Sequence, residues 1–214
     1  MRRFALAVLI ALSSPLLMAG GAPPPPRRLE FNDADAKALD AISAYLNSIT
    51  TLKGGFVQVE PNGGADEGTF YISKPGKMRF EYNPPSPVLL VSDGHTVAVA
   101  NRRLNTVDRY PLVDTPLGLI LNNTLDLRHN PQLLSVTHQE GSIILGLRTS
   151  NNRSKANLAL VFSEPDYELR QWSVIDAQGL TTTVALRALV SGTPLLPTLF
   201  VLPEKNAFAN RREN

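Results

Sequence analysis

The sequence predicts a mainly β (α+β) fold, an unclosed antiparallel β-barrel of about eleven strands with an N-terminal helix and a short second helix at its mouth. Three observations carry this expectation. After one stretch of helical periodicity the apolar residues switch to period two and keep it for most of the chain. The 17 prolines and 14 glycines are spread in short clusters, which suits many strands joined by turns and argues against a helical bundle. Finally, about eleven hairpin-linked strands are too many for a flat sheet, so the sheet should curl. A chain of 214 residues can bury one sizeable core.

Residues 1–21 read as a secretory signal peptide. Met1-Arg2-Arg3 is a short basic start, Phe4 to Met18 is apolar, and Ala19-Gly20-Gly21 supplies small residues for cleavage after Gly21. The apolar run is short and breached by Ser13-Ser14-Pro15, so a retained membrane anchor is the lesser alternative. Residues 22–31, with Pro23 to Pro26 and Arg27-Arg28, form an extended lead-in. Asn32-Asp33 marks a helix start, with Asp33 and Asp35 suited to its positive end. Leu39, Ile42, Leu46 and Ile49 then make one apolar stripe through about Thr50.

Beyond Gly54-Gly55, taken as a turn pair like Gly63-Gly64, strands are expected at Phe56–Glu60, Thr69–Ser73, Met78–Tyr82, Val88–Ser92, Thr96–Ala100 and Thr106–Tyr110. A second run covers Leu133–His138, Ser142–Arg148, Leu158–Ser163, Leu169–Asp176 and Thr181–Arg187. Asp93-Gly94, Glu140-Gly141 and Ala177-Gln178-Gly179 supply tight turns. Between the runs, Thr115-Pro116 starts a short helix through Leu117 to Leu121 that Asn122-Asn123 stops. It is apolar almost all round, so it is either buried or covers an apolar hollow.

The strands do not divide into an oily and a polar face. Ile143, Leu145 and Leu147 oppose Ile144, and Val88-Leu89-Leu90-Val91 is continuously apolar. A half-closed sheet with helices at its mouth covers both faces. Burial patterns do not reveal voids, so a filled core and a hollow able to take an acyl chain fit this spacing equally.

Much chemistry is excluded. With no cysteine there is no disulfide, thiolate zinc site, cysteine nucleophile or acylated cysteine anchor. The net charge of +2 comes from the leader: without Arg2 and Arg3 the 21 basic residues become 19, matching the 19 acidic ones, and no nucleic-acid-binding surface is expected. His95, His129 and His138 lack metal-ligand spacing and read as solvated turn residues. No serine-hydrolase elbow or nucleotide loop occurs, and no pair of carboxylates is placed face to face. The expectation is a protein that is not an enzyme and needs no cofactor or metal.

Leu52-Lys53-Gly54-Gly55-Phe56-Val57-Gln58 resembles the opening motif of the periplasmic outer-membrane lipoprotein carriers, the LolA family. Gly68-Thr69-Phe70-Tyr71-Ile72-Ser73-Lys74-Pro75-Gly76-Lys77-Met78-Arg79-Phe80-Glu81-Tyr82 is similar to the core motif of that family. The likeness continues at Pro84-Pro85, Leu90-Val91-Ser92-Asp93-Gly94, Thr115-Pro116-Leu117, Leu169 to Gly179 and Thr181 to Val184, and Leu199 to Pro203 matches the terminal strand. It therefore spans nearly all of the chain beyond the leader. The resemblance implies an unclosed barrel with a lid over an apolar cavity, in a monomeric periplasmic chaperone for acylated lipoproteins. It implies as partners an inner-membrane ABC-type lipoprotein-releasing complex and an outer-membrane lipoprotein receptor. The residues it points to for the cavity and lid are Lys74, Met78, Phe80, Leu90, Leu117, Ile120 and Leu121. Lys74 stands where the family has an arginine that helps hold the lid and hand over cargo, and lysine lacks the planar fork of that group. Met78 takes a place the family gives to an aromatic or aliphatic residue, and its flexible side chain suits cargo of variable shape. Trp172 reads as packing, and Arg79 with Glu81 as a surface ion pair.

On this reading the carrier domain covers residues 32–205 and a polar tail residues 206–214. Two alternatives are a carrier of another lipid on the same fold and a non-transport envelope sensor or binding domain that pairs a partner's strand with a sheet edge.

Overall fold

The computed structural model of the protein describes residues 30–148 and 156–204. The signal peptide, most of the lead-in and the polar tail lie outside the described residues.

Helix α1, Asp33–Ser48, starts where the sequence places it. Asn32 caps it by accepting from Asp35 N at 2.8 Å, and the Asp35 carboxylate accepts from Asn32 N in return, a reciprocal capping box. The helix ends two residues earlier than expected. Ile49 is extended, and Thr50 already accepts a hydrogen bond from Lys74 N, so the sheet has captured the chain. The stripe Leu39, Ile42 and Leu46 is completely or almost completely buried.

Eleven strands follow: β1 Thr51–Val59, β2 Ala65–Ser73, β3 Lys77–Tyr82, β4 Val88–Asp93, β5 Thr96–Asn101, β6 Thr106–Pro111, β7 Leu133–Gln139, β8 Ser142–Arg148, β9 Asn157–Ser163, β10 Leu169–Ile175 and β11 Thr181–Ser191. They form one antiparallel sheet in the order β6-β5-β4-β3-β2-β1-β11-β10-β9-β8-β7. Two meanders are thus joined by the β1–β11 pair, and β6 and β7 are the free edges. The connection between them contains the 3-10 helix Leu112–Asp114 and α2, Leu117–Ile120.

Three expectations need correction. β1 begins at Thr51 rather than Phe56, and Gly54-Gly55 lies inside it, beside a bulge against β11, instead of forming a turn. The pair permits close packing: a Cβ on Gly54 would sit 2.8 Å from the Arg187 carbonyl oxygen and 3.0 Å from the Phe70 ring. β11 runs on to Ser191 because β1, its partner, starts early and pairs Leu52 with Ser191. Leu199 to Pro203 is not a strand. Pro197–Phe200 is a 3-10 helix, and the carbonyls of Leu199 and Pro203 accept from Arg79 and Arg109 side chains instead of a neighbouring strand.

That terminal segment explains the unbroken apolar run in β4. Leu90 faces the main core, whereas Leu89 and Val91 join Ala98, Ala100 and Val107 in a second cluster on the opposite face, against which Leu202 packs. The main core unites α1 with the inner faces of both meanders, including Ile143, Leu145 and Leu147 of β8 and Leu158, Leu160 and Phe162 of β9.

Gly68 in β2 lies opposite Tyr82 of β3 and Phe56 of β1. A Cβ there would stand 2.0 Å from the Glu81 carbonyl oxygen and 2.8 Å from the Phe56 ring. Gly68→Ala should therefore lower stability by about 1–3 kcal/mol, read as a lower urea midpoint at unchanged slope.

Candidate functional site

Two cavities lie under α2. The smaller, about 30 Å³, is lined by Leu46, Ile49, Leu52, Ile72, Lys74, Met78, Phe80, Leu117, Ile120, Leu121, Leu169, Trp172 and Leu186. The larger, about 260 Å³, shares Met78, Phe80, Leu117 and Trp172 as walls and adds Leu90, Val97, Val99, Val174, Val184 and a rim that includes Gln58, Tyr82, Tyr110, Thr115, Pro116 and Thr182. The structure thus brings all seven sequence-selected residues together: Lys74, Ile120 and Leu121 at the smaller space, Leu90 at the larger, and Met78, Phe80 and Leu117 at both.

The walls follow from strand alternation. Met78, Phe80 and Tyr82 are inward on β3, Trp172 and Val174 on β10, and Thr182 and Val184 on β11. Phe80 is the centre of an aromatic group, with Phe56 edge-on at 5.1 Å, Trp172 edge-on at 5.9 Å and Phe70 stacked at 5.5 Å. Sequence reading passed over Trp172, Val97, Val174 and Val184 as cavity residues. The period-two signal was present at each, but alternation does not say which inward residues meet empty space.

Most polar groups on these walls are committed. The Tyr82 hydroxyl donates to Gln58 Oε1 at 2.7 Å, and the Gln58 amide donates onward to Glu60. Burial, reinforced by the Glu60 and Asp66 charges, pushes the Tyr82 hydroxyl to a higher pKa. Thr115 Oγ1 donates to the Leu112 carbonyl at 2.8 Å.

Lys74 is neither a solvated turn lysine nor bonded to α2. Its Nζ donates to the Leu46 carbonyl in the last turn of α1 at 2.8 Å. A helix C-terminus favours a cation, yet burial outweighs this and lowers the pKa of the amine from 10.5 to about 8. The tie from sheet to the end of α2 is made by backbone: Gly76 N–H in the β2–β3 turn donates to the Leu121 carbonyl at 3.0 Å. Gly76 has φ +71°, and a Cβ there would meet Gly94 Cα at 2.7 Å, so both conformation and space require glycine.

Downstream of α2 the connection is fastened to α1. The Asn47 side chain bonds both the carbonyl and the N–H of Leu125, Ser43 Oγ accepts from Leu127 N at 3.1 Å, and Asp40 pairs with Arg128 at 3.2 Å. His138 lies in edge strand β7, where the sequence ends a strand, but instead of being simply solvated it contacts the Asp35 carboxylate at 3.0 Å. Arg79 pairs with Glu81 as expected and also donates to the Leu199 carbonyl, which anchors the terminal segment. Among the described residues no cluster of three or more His, Asp or Glu is placed to hold a metal ion, and no helix is long and apolar enough to cross a membrane.

A family model described as "Outer membrane lipoprotein carrier protein LolA" matches residues 47–203. An outer-membrane lipoprotein carrier protein of Cupriavidus necator is 27% identical over 180 residues, covering 78% of this chain and 84% of the relative. One of Dechloromonas aromatica is 29% identical over 174 residues, covering 77% and 82%. Among solved structures, a LolA superfamily protein of Nitrosomonas europaea aligns with a TM-score of 0.43 at 10% identity, covering 76% of this chain and 97% of that one.

The buried amine has a consequence for pH. Below pH 8 Lys74 is charged in both folded and unfolded chains, and the folded state carries the full desolvation cost. Between pH 8 and 10.5 the unfolded chain holds the proton more tightly, so folded stability rises with pH across that window. Urea midpoints at pH 7 and pH 10 should show the native chain gaining on Lys74→Met at the higher pH.

Proposed function

The chain belongs to the LolA family of outer membrane lipoprotein carrier proteins, and on that premise we propose that it shields the acyl chains of lipoproteins in the cavity under α2 while they cross the periplasm. The observation that carries this reading is the apolar hollow of about 260 Å³, walled by both meanders and by Leu117 of α2. An enclosed apolar cavity of about 150 Å³ takes one benzene, so this one has room for on the order of ten carbons. Each methylene buried contributes about 0.8 kcal/mol. A long acyl chain exceeds the space, and loading then requires α2 and its flanking connection to move outward.

In this reading residues 1–21 direct export and are removed, and residues 32–205 form the carrier domain. The donor is an inner-membrane ABC-type lipoprotein-releasing complex, and the acceptor is an outer-membrane lipoprotein receptor. Transfer makes and breaks no covalent bond. It needs only a cavity affinity lying between those of donor and acceptor. Lys74, Met78, Phe80, Leu90, Leu117, Ile120 and Leu121 are the residues proposed to meet the cargo or hold the lid.

The test is mass spectrometry of material bound to the protein isolated from periplasm without detergent. Acylated peptides beginning with a modified cysteine are the expected result. Glycerolipid alone would move the function to carriage of another lipid on the same fold. Leu117→Asp places a carboxylate in both cavities and should weaken binding of an acylated peptide at least about tenfold, measured by fluorescence titration.

A further inference from the structure

The terminal segment ends its described course beside the free edge that borders the larger cavity. Leu202 packs on the second apolar cluster, and the Pro203 carbonyl accepts from the Arg109 guanidinium at 2.9 Å. Arg109 stands on β6 opposite Ala98, a member of that cluster, so it faces away from the main core. The next residue, Tyr110, stands opposite Val97, faces inward and belongs to the rim of the larger cavity. The chain beyond Glu204 therefore starts one strand edge away from the cavity mouth. Residues 22–29, by contrast, lead into α1 beside β7, the other free edge.

The mouth at β6 is both apolar and acidic. Tyr110 and Val113 are exposed on the stretch from β6 to α2. Asp108, opposite the cavity residue Val99, faces inward, and Asp114 directly precedes the rim residues Thr115 and Pro116. Among the described residues neither carboxylate has a hydrogen-bond or ion-pair partner. Residues 205–214 match this surface: Phe208 is their one large apolar side chain, and Lys205, Arg211 and Arg212 stand against the single acid Glu213. The four residues Lys205 to Phe208 span at most about 14 Å. A sheet layer with its side chains is about 10 Å thick, so Phe208 has the reach to round the β6 edge.

We infer that residues 205–214 fold over the edge of β6 and fill the mouth of the larger cavity in the unloaded protein, with Phe208 on Tyr110 and with Arg211 and Arg212 facing Asp108 and Asp114. The occupant is this chain's own tail, and cargo has to displace it. A group on a short tether competes at an effective concentration in the millimolar range, about 1 mM or more, so weak contacts hold it in place. Cargo then meets an affinity reduced by the fraction of chains whose mouth is filled. The competition rests on the proposed carriage of acyl chains; the seat of the tail does not.

The chain has no cysteine, so Asn210→Cys carries a nitroxide at one defined place in the full mature chain. In the ¹⁵N-labelled protein the amides of Asp108, Tyr110 and Leu117 should broaden, that of Leu134 on β7 should not, and palmitic acid should restore the broadened signals. Absence of broadening at β6 and α2 would overturn the inference. So would broadening that appears when nitroxide-bearing chains are mixed with ¹⁵N-labelled chains lacking the nitroxide, which would make the occupant a second copy. In fluorescence titration with dansyl-labelled undecanoic acid, Phe208→Ser should bind about two- to tenfold more tightly than the native chain. Phe208→Leu, which keeps an apolar side chain, should stay within about twofold of native. Equal affinities for the native chain and Phe208→Ser would overturn the competition. Failure of every variant to bind the probe would overturn acyl carriage, and the nitroxide measurement would still decide where the tail sits.

Discussion

An antiparallel sheet of eleven strands that never pairs β6 with β7 sets the terms for the rest of this structure. About eight strands enclose an interior just wide enough for their own side chains to fill. Eleven curled strands enclose more, and the gap between the free edges leaves inward-facing leucines, valines and aromatics without a strand opposite. The chain covers them with helix. Leu39, Ile42 and Leu46 of α1 are buried against the sheet, each contributing about 1.5–3 kcal/mol relative to exposure. The connection from β6 to β7 spans the open side, which is why α2 sits at the mouth.

A helix of four residues is far below the length at which helices are stable in isolation. The position of α2 is therefore set by its attachments. Upstream, Thr115 bonds back to Leu112 through both its N–H and its hydroxyl. At its end Leu121 is tied to Gly76. Downstream the chain is laced to α1 at Asp40, Ser43 and Asn47, residues spaced three and four apart on one helix face. Hydrogen bonds of this kind contribute about 1 kcal/mol each. Lys74 and His138 connect α1 itself to the sheet. The cover is thus a polar lattice laid over an apolar interior, and its links to the strands include the β2–β3 turn, the β7 edge and the contact of Tyr45 with the Leu169 backbone in β10.

What was legible in the sequence was whatever a local pattern dictates. Asn32 and Asp35 announce a capped helix, the 3.6-residue stripe gives its buried face, and Asp93-Gly94 and Glu140-Gly141 mark hairpins where Gly94 and Gly141 adopt positive φ. The site was legible to the extent that inward positions on β3 and in α2 could be named. Long-range matters were not. Gly54-Gly55 looks like a turn until Arg187 and Phe70 are seen to press against it. Leu199 to Pro203 resembles a terminal strand, but only the arginines of β3 and β6 reveal where its carbonyls go. Trp172 reads as ordinary packing because alternation does not say which inward residues meet empty space. The destination of the Lys74 ammonium, 28 residues back at Leu46, is equally invisible to spacing.

Apolar burial is non-directional and scales with area, so a purely oily hollow would accept any chain that fits and hold it at any depth. In this cavity the charged wall residue Lys74 is turned to the end of α1, and Tyr82 is locked to Gln58. Neither is left to orient a guest. Selectivity by size alone is coarse, because one methylene more or less changes affinity by about 0.8 kcal/mol. A carrier also has to release what it binds, which sets a ceiling on how much apolar area it should bury.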